Sequence, residues 1–192
     1  MRPSGGSFTD VCLGLALKAG FTEVSLPALE LASTYAAKAG PEVLGQMYTF
    51  PDKADRLLCL RPEGTATCQL LARERFKLER DVRLFYAATC WRYERPQAGR
   101  YREFLQFGVE VLNPSKDWRE PLLELATSMV SQFTADFEVA PLVKRGLAYY
   151  LGDGFEISCP ALGAQRQVCG GGAYAEGIGF AVGVDRLMLV AP

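Results

Sequence analysis

The chain has 192 residues, 49% hydrophobic and 22% charged, which is enough apolar material for a sizeable core in one domain spanning 1–192. A formal net charge of −1 and a sequence pI of about 5.6 argue against bulk attraction to nucleic acid, so any RNA contact has to come from a local basic patch. Histidine is absent, which excludes a Ser–His or Cys–His catalytic pair and every His-ligated metal site.

The N-terminus MRPSGGSFTD has no apolar signal-peptide core, and no run of about 18 apolar residues follows, so a soluble, cytoplasmic protein without a membrane segment is expected. A helix is predicted from a Ser7 cap to Lys18, closed by Gly20. A strand over 21–26 runs into Pro27, and a second helix is predicted over 29–39. Residues 47–50 and 56–60 read as a hairpin around Pro51-Asp52-Lys53. The turn 61–65 (RPEGT) then leads into a helix carrying Leu70, Leu71 and Phe76.

Residues 88–112, ATCWRYERPQAGRYREFLQFGVEVL, read as a long antiparallel hairpin beginning near Val82 and turning through Pro96-Gln97-Ala98-Gly99. Its return strand alternates around Phe104, Gln106, Gly108 and Glu110. Five arginines, Arg83, Arg92, Arg95, Arg100 and Arg102, lie in or beside it, with Glu94, Glu103 and Glu110 interleaved. Arginine presents a planar fork of donors suited to phosphate and carboxylate. In isolation the hairpin reads equally as an anion-binding element or as a solvated ribbon of mixed charge.

Beyond it, Asp117 is placed to cap a helix whose Leu122, Leu123, Leu125, Met129, Val130 and Phe133 follow helical spacing. Short strands are predicted over 146–151, 155–158 and 165–169. The triplet Gly170-Gly171-Gly172 then precedes a strand, Gly183 and a helix carrying Arg186. Strands gathered around one long hairpin, with helices interspersed and no βαβ rhythm, predict an α+β fold with an antiparallel sheet. The six cysteines are far apart and form no C-x-x-C pair, so buried free thiols are expected, with no protein-ligated metal and no disulfide framework.

Neither a G-x-x-x-x-G-K-[ST] loop nor a G-x-G-x-x-G turn is present. Arg145 (LVKRGLAYY) and Arg186 (GVDRLMLV) stand in apolar, glycine-containing surroundings, where a charge needs a partner. One such arginine is ordinarily half of a buried salt bridge. Three of them (Arg92, Arg145, Arg186) beside Glu63 and Glu110 point instead to a site for a polyanion and a zwitterion. Tyr149 and Tyr150, adjacent on a strand, face opposite ways.

LRPEGTA (60–66), WRYERPQAGRYREFLQFGVEV (91–111), LVKRGLAYY with FEI (142–157), CGGGAY (169–174) and GFAVGVDRL (179–187) together resemble the histidyl-tRNA synthetases, in that family's order. FTEVSLPALE (21–30) is similar to the first class II synthetase motif, 91–111 to the second and 179–187 to the third. The resemblance implies a class II aminoacyl-tRNA synthetase-like antiparallel sheet flanked by helices, acting on histidine and ATP with Mg²⁺. It also implies a homodimer packed at the first-motif proline.

By position it places the ATP α-phosphate and the amino-acid carboxylate at Arg92, and the γ-phosphate at Arg186. Adenine would lie between Phe104 and Arg186, near Glu94. Glu63, Gly64 and Thr65 would take the histidine ammonium, with Gln106 nearby. Glu110 and Tyr149 would hold the imidazole, Tyr150 would line the pocket, and Arg145 would offset charge at the α-phosphate. A carboxylate suits an ammonium, and arginines suit charge developing on phosphorus.

Ala148, Ala173, Ala175 and Leu105 depart from the family, which usually has an acid, arginine, aspartate and histidine there. The interval from Glu110 to Arg145 is too short for the family's insertion domain, and a core without the anticodon-binding domain is expected. Contact with tRNA would rest on Arg95, Arg100 and Arg102 at the hairpin tip. The alternative reading is a non-catalytic histidine-sensing or regulatory paralogue, similar to the regulatory subunit of ATP phosphoribosyltransferase.

Overall fold

In the computed structural model, which describes residues 6–36, 41–144 and 150–191, the long hairpin forms two adjacent inner strands of a seven-stranded sheet. Helix α1 (Gly6–Lys18) leads into strand β1 (Thr22–Glu23). Next come β2 (Leu29–Leu31), α2 (Ala32–Ala36), α3 (Pro41–Gly45), β3 (Thr49–Pro51), β4 (Leu57–Leu60) and α4 (Thr65–Glu74). The hairpin is β5 (Val82–Trp91) with β6 (Glu103–Leu112), followed by α5 (Arg119–Ser131). Strands β7 (Glu138–Lys144), β8 (Asp153–Ser158), β9 (Gln167–Tyr174) and β10 (Gly177–Gly183) precede the short α6 (Val184–Leu187). The strand order is β1-β5-β6-β10-β9-β8-β7, antiparallel except for the β1–β5 pair, and a separate three-stranded sheet runs β2-β4-β3.

Period-two alternation in β6 divides the sheet into two chemically different faces. Phe107, Val109 and Val111 point to the back, where they are fully buried with Phe8, Cys12 and Ala16 of α1 and Leu122, Ala126, Met129 and Val130 of α5. Phe85 stacks on Phe107 there, with ring centroids 5.6 Å apart. Burying each large side chain contributes about 1.5–3 kcal/mol, so this layer supplies much of the driving force for folding. The front carries Gln106, Gly108 and Glu110, with α4 packed through Cys68 and Ala72 onto Leu84, Tyr86, Ala88 and Leu112. All six cysteines are buried free thiols.

Several sequence expectations are corrected. Residues 29–31 are strand β2, paired with Leu58, Cys59 and Leu60, and only 32–36 of the predicted helix 29–39 is helical among the described residues. Leu29 and Leu31 are two residues apart, so cross-strand pairing outweighs helical propensity there. Strand β7 was not expected, because Pro141 interrupts its pattern; the proline lies at a bulge between Ala140 and Val143 on an edge strand, where a missing N–H is tolerated. The predicted strand 146–151 falls mostly outside the described residues, although Tyr150 bridges Tyr174. The glycine triplet precedes the last strand and helix as expected, and itself lies inside β9, which runs on to Tyr174 and is held by ladders to β8 and β10. Helix α5 starts at Arg119, whose N–H is 2.9 Å from Asp117 Oδ1 in a local Asx turn rather than a helix cap.

The hairpin tip closes where Gln97 and Arg100 exchange backbone hydrogen bonds of 3.1 and 2.9 Å, with Gly99 at φ +73°. Only glycine takes that conformation without strain.

Candidate active site

The front face owes its shape to residues that are missing side chains. Gly108 pairs with Ala181 and Ala181 with Gly170; Glu110 pairs with Gly179 and Gly179 with Gly172; Gln106 pairs with Gly183. Across β10 and β9, the front-facing positions in these rows carry nothing larger than a methyl group. The result is a trough between the hairpin and β8, and a cavity of about 460 Å³ lies over it. That size is ordinary for a small-molecule site.

One wall comes from the hairpin. Arg92, Glu94, Arg100, Phe104 and Gln106 all line the cavity. Arg92 is anchored by Nε to Pro62 O at 2.9 Å, and its guanidinium lies 5.3 Å from the Phe104 ring centroid. Arg186, from α6, closes the far end. Its Nε donates to Gly99 O at 2.9 Å and Nη1 to Gln167 O at 2.7 Å, which fixes the guanidinium plane. Burial lowers the Arg186 pKa; Glu94 opposes this, while Arg100 and Arg92 add to it. A guanidinium stays charged regardless, so Arg92 and Arg186 both present positive charge to the cavity, which Arg100 and Lys144 also line. Asp185 positions this end by accepting the Leu105 N–H at 2.5 Å.

The other end is built by α4. Glu63 accepts the Thr65 N–H at 2.6 Å and the Ala66 N–H at 2.9 Å, so the carboxylate holds the start of the helix while lining the cavity. Burial raises its pKa, opposed by those N–H groups and by Arg92. Thr65 Oγ1 donates to Glu110 Oε1 at 2.7 Å, and Tyr174 Oη donates to Glu110 Oε2 at 2.7 Å. Glu110 is fully buried, and its pKa is pushed up to about 8 by that burial, with Glu63 adding to it against the two hydroxyls. Gly64, between Glu63 and Thr65, sits directly over the Tyr86 ring.

The structure thus brings Glu63, Thr65, Arg92, Glu94, Phe104, Gln106, Tyr150 and Arg186 to one cavity, with Glu110 beneath Thr65. Arg145, Tyr149 and Ala148 lie outside the described residues. Of the three tip arginines, Arg100 faces the cavity and is paired with Glu94, while Arg95 and Arg102 are exposed. Arg102 stacks over Tyr93 at 4.2 Å. Ala173 packs against the back core.

Sequence reasoning missed Tyr174, Asp185, Lys144 and Glu156, the last two on the opposite wall. It also missed Arg61, which is buried and donates to Leu26 O at 2.7 Å, Pro27 O at 2.5 Å and Thr89 O at 2.7 Å, tying the Pro27 segment to β5. Its only signal was an arginine inside the apolar run LCLRPEG.

Comparison with known proteins bears on this geometry directly. The sequence profile described as "Histidyl-tRNA synthetase" matches residues 8–120, more than half of the chain. The chain belongs to the histidyl-tRNA synthetase family. A histidine–tRNA ligase of Archaeoglobus fulgidus is 26% identical over 275 aligned positions, covering 88% of this chain and 67% of that protein. One from Saccharolobus islandicus is 43% identical over 102 residues, 53% of this chain and 24% of that protein. The A. fulgidus alignment is longer than this whole chain, so that synthetase carries a long insertion without a counterpart here. The chain spans about two thirds of the length of such relatives, 66% for the ligase of Natranaerobius thermophilus.

Among solved structures, apo histidyl-tRNA synthetase from S. aureus superposes with a TM-score of 0.76 at 24% identity, covering 95% of this chain and 64% of that one. An ATP phosphoribosyltransferase regulatory subunit/histidyl-tRNA synthetase from Bacillus halodurans gives 0.80 at 15% identity, covering 97% and 78%. These likenesses establish the class II synthetase-like α+β fold.

Proposed function

We propose that this member of the histidyl-tRNA synthetase family binds histidine and MgATP in the front cavity and joins them as histidyl-adenylate. The observation that carries the reading is the pairing of Arg92 and Arg186, two fixed guanidiniums, with the carboxylate of Glu63 at the opposite end of one trough. A histidine carboxylate oxygen attacks the ATP α-phosphorus, the bond to the β-phosphate oxygen breaks, and pyrophosphate leaves with its electron pair. No proton transfer is needed, so a protein without histidine side chains is adequate; positioning and charge do the work.

In this reading Arg92 bridges the α-phosphate and the amino-acid carboxylate, and Phe104 and Arg186 hold adenine near Glu94. Arg186 also neutralises the γ-phosphate. Glu63, Gly64 and Thr65 receive the ammonium near Gln106. Glu110 and Tyr149 hold the imidazole, Tyr150 lines the pocket, and Arg145 offsets charge at phosphorus. Magnesium enters with ATP as part of the substrate. We extend the proposal to one domain acting in the cytoplasm as a homodimer through the Pro27 segment. The dimer is supported by Leu29, Leu31, Phe50 and Leu57, large apolar side chains exposed on the small sheet. Transfer to tRNA rests on exposed Arg95 and Arg102 beside cavity-facing Arg100.

A second reading, a regulatory histidine sensor, is favoured by the fold likeness to the B. halodurans protein and by Ala173 in place of a charged residue. Thermal unfolding with each ligand separates the two. The synthetase reading predicts stabilisation by histidine, more with ATP added, and AMP-linked histidine detectable by mass spectrometry. Stabilisation by histidine with no response to ATP supports the sensor and refutes adenylate formation.

A further inference from the structure

The front layer contains a side chain whose placement the cavity itself does not explain. Tyr86 is fully buried, and its hydroxyl has no hydrogen-bond partner among the described residues. Leaving a buried hydroxyl unpaired costs about 1–3 kcal/mol. The ring tip is nevertheless wedged where two glycines make room for it. A Cβ at Gly64 would lie 2.3 Å from Tyr86 Cζ and 2.5 Å from Oη; at Gly108 it would lie 2.1 and 2.3 Å away. The hydroxyl therefore sits between the residue preceding Thr65 and the residue two before Glu110 on the same face of β6. That is beside the Thr65–Glu110 hydrogen bond.

We infer that Tyr86 is a positioning residue for the amino-acid end of the cavity, its hydroxyl donating to Glu110 when a cationic amine occupies the space at Glu63 and Thr65. The inference rests on the reading of this cavity as an amino-acid site. Thr65 Oγ1 already donates to Glu110, and a hydroxyl can accept while it donates. An ammonium donating to Thr65 polarises that chain toward Glu110 and favours its ionised form. An ionised carboxylate has about four acceptor sites, of which Thr65 and Tyr174 fill two. Tyr86 supplies a third donor once the Glu110 carboxylate turns toward the tyrosine tip, which the two glycines hold in place. Burial raises the pKa of the Tyr86 phenol and Glu110 adds to the rise, as expected for neighbours. In this structure the hydroxyl waits; with the amine bound it has a partner.

Tyr86→Phe removes the oxygen alone and keeps the ring between the two glycines. The free variant should unfold at the same temperature as wild type or higher, because an unpaired polar atom is gone. Its histidine Kd and the KM for histidine should both rise about tenfold, one hydrogen bond to a charged group, with the KM for ATP and kcat unchanged. Equal histidine affinity in Y86F and wild type overturns the inference, and so does a free Y86F that melts lower, since the hydroxyl would then already be partnered. Wild type that binds no histidine at all refutes the cavity reading, and this inference with it.

Discussion

Replacing Glu110 by glutamine tests the electrostatics beneath the cavity most sharply. Glu110 is fully buried, with Thr65 and Tyr174 on its two oxygens, and its pKa is raised from 4.5 to about 8, chiefly by desolvation. A raised carboxyl pKa means that the folded chain keeps a proton the unfolded chain releases. The stabilisation linked to that proton is therefore fully present below about pH 4.5 and is lost as pH rises through about 8. Each pH unit inside that window costs about 1.4 kcal/mol, and the whole window up to about 5 kcal/mol. Glutamine has nearly the same shape and does not titrate. It forfeits one acceptor, at about 1 kcal/mol, because its amide nitrogen meets a hydroxyl placed to donate. Urea unfolding of both proteins from pH 5 to 9 is the assay. E110Q should start within about 1 kcal/mol of wild type at pH 5, cross it as pH rises, and finish more stable. Parallel profiles for the two proteins would refute the argument, because other acids with raised pKa, such as Glu63 and Glu30, are common to both and cancel in the difference.

Gly108→Ala forces a methyl into the Tyr86 ring and should destabilise by about 1–3 kcal/mol in chemical denaturation, whereas Gly14→Ala, whose Cβ meets nothing within 4 Å in α1, should stabilise by about 0.5–1 kcal/mol. Arg186→Gln removes a fixed charge and should raise the KM for ATP and lower kcat together, by roughly a hundredfold in kcat/KM, while histidine affinity measured by calorimetry stays within about twofold. An equal loss of histidine affinity would show that the two ends of the cavity are not separate.

The hairpin and the site it carries were readable because β6 alternates between two kinds of residue. Phe107, Val109 and Val111 are apolar, while Gln106, Gly108 and Glu110 are polar or small, so period two assigned both faces at once. Strand β7 lacked that contrast: it is an edge strand, largely exposed and broken by Pro141, so nothing in its pattern separates it from a loop. Residues 29–31 fit either period, and pairing with β4 decided between them. Tyr174 meets Glu110 from 64 positions away, and Asp185 reaches the Leu105 N–H from 80. Such partners are set by strand order, which no local window contains. Tyr86 was hidden for the same reason: its wedge exists only once Gly64 and Gly108 are brought to either side of it.

The central claim is activation of histidine. Exchange of labelled pyrophosphate into ATP, measured with the purified chain and MgATP with and without histidine, tests it most directly. The account predicts label in ATP only when histidine is present, and none with an amino acid of different side chain. A folded chain that binds both histidine and ATP yet exchanges no label at any histidine concentration would contradict it.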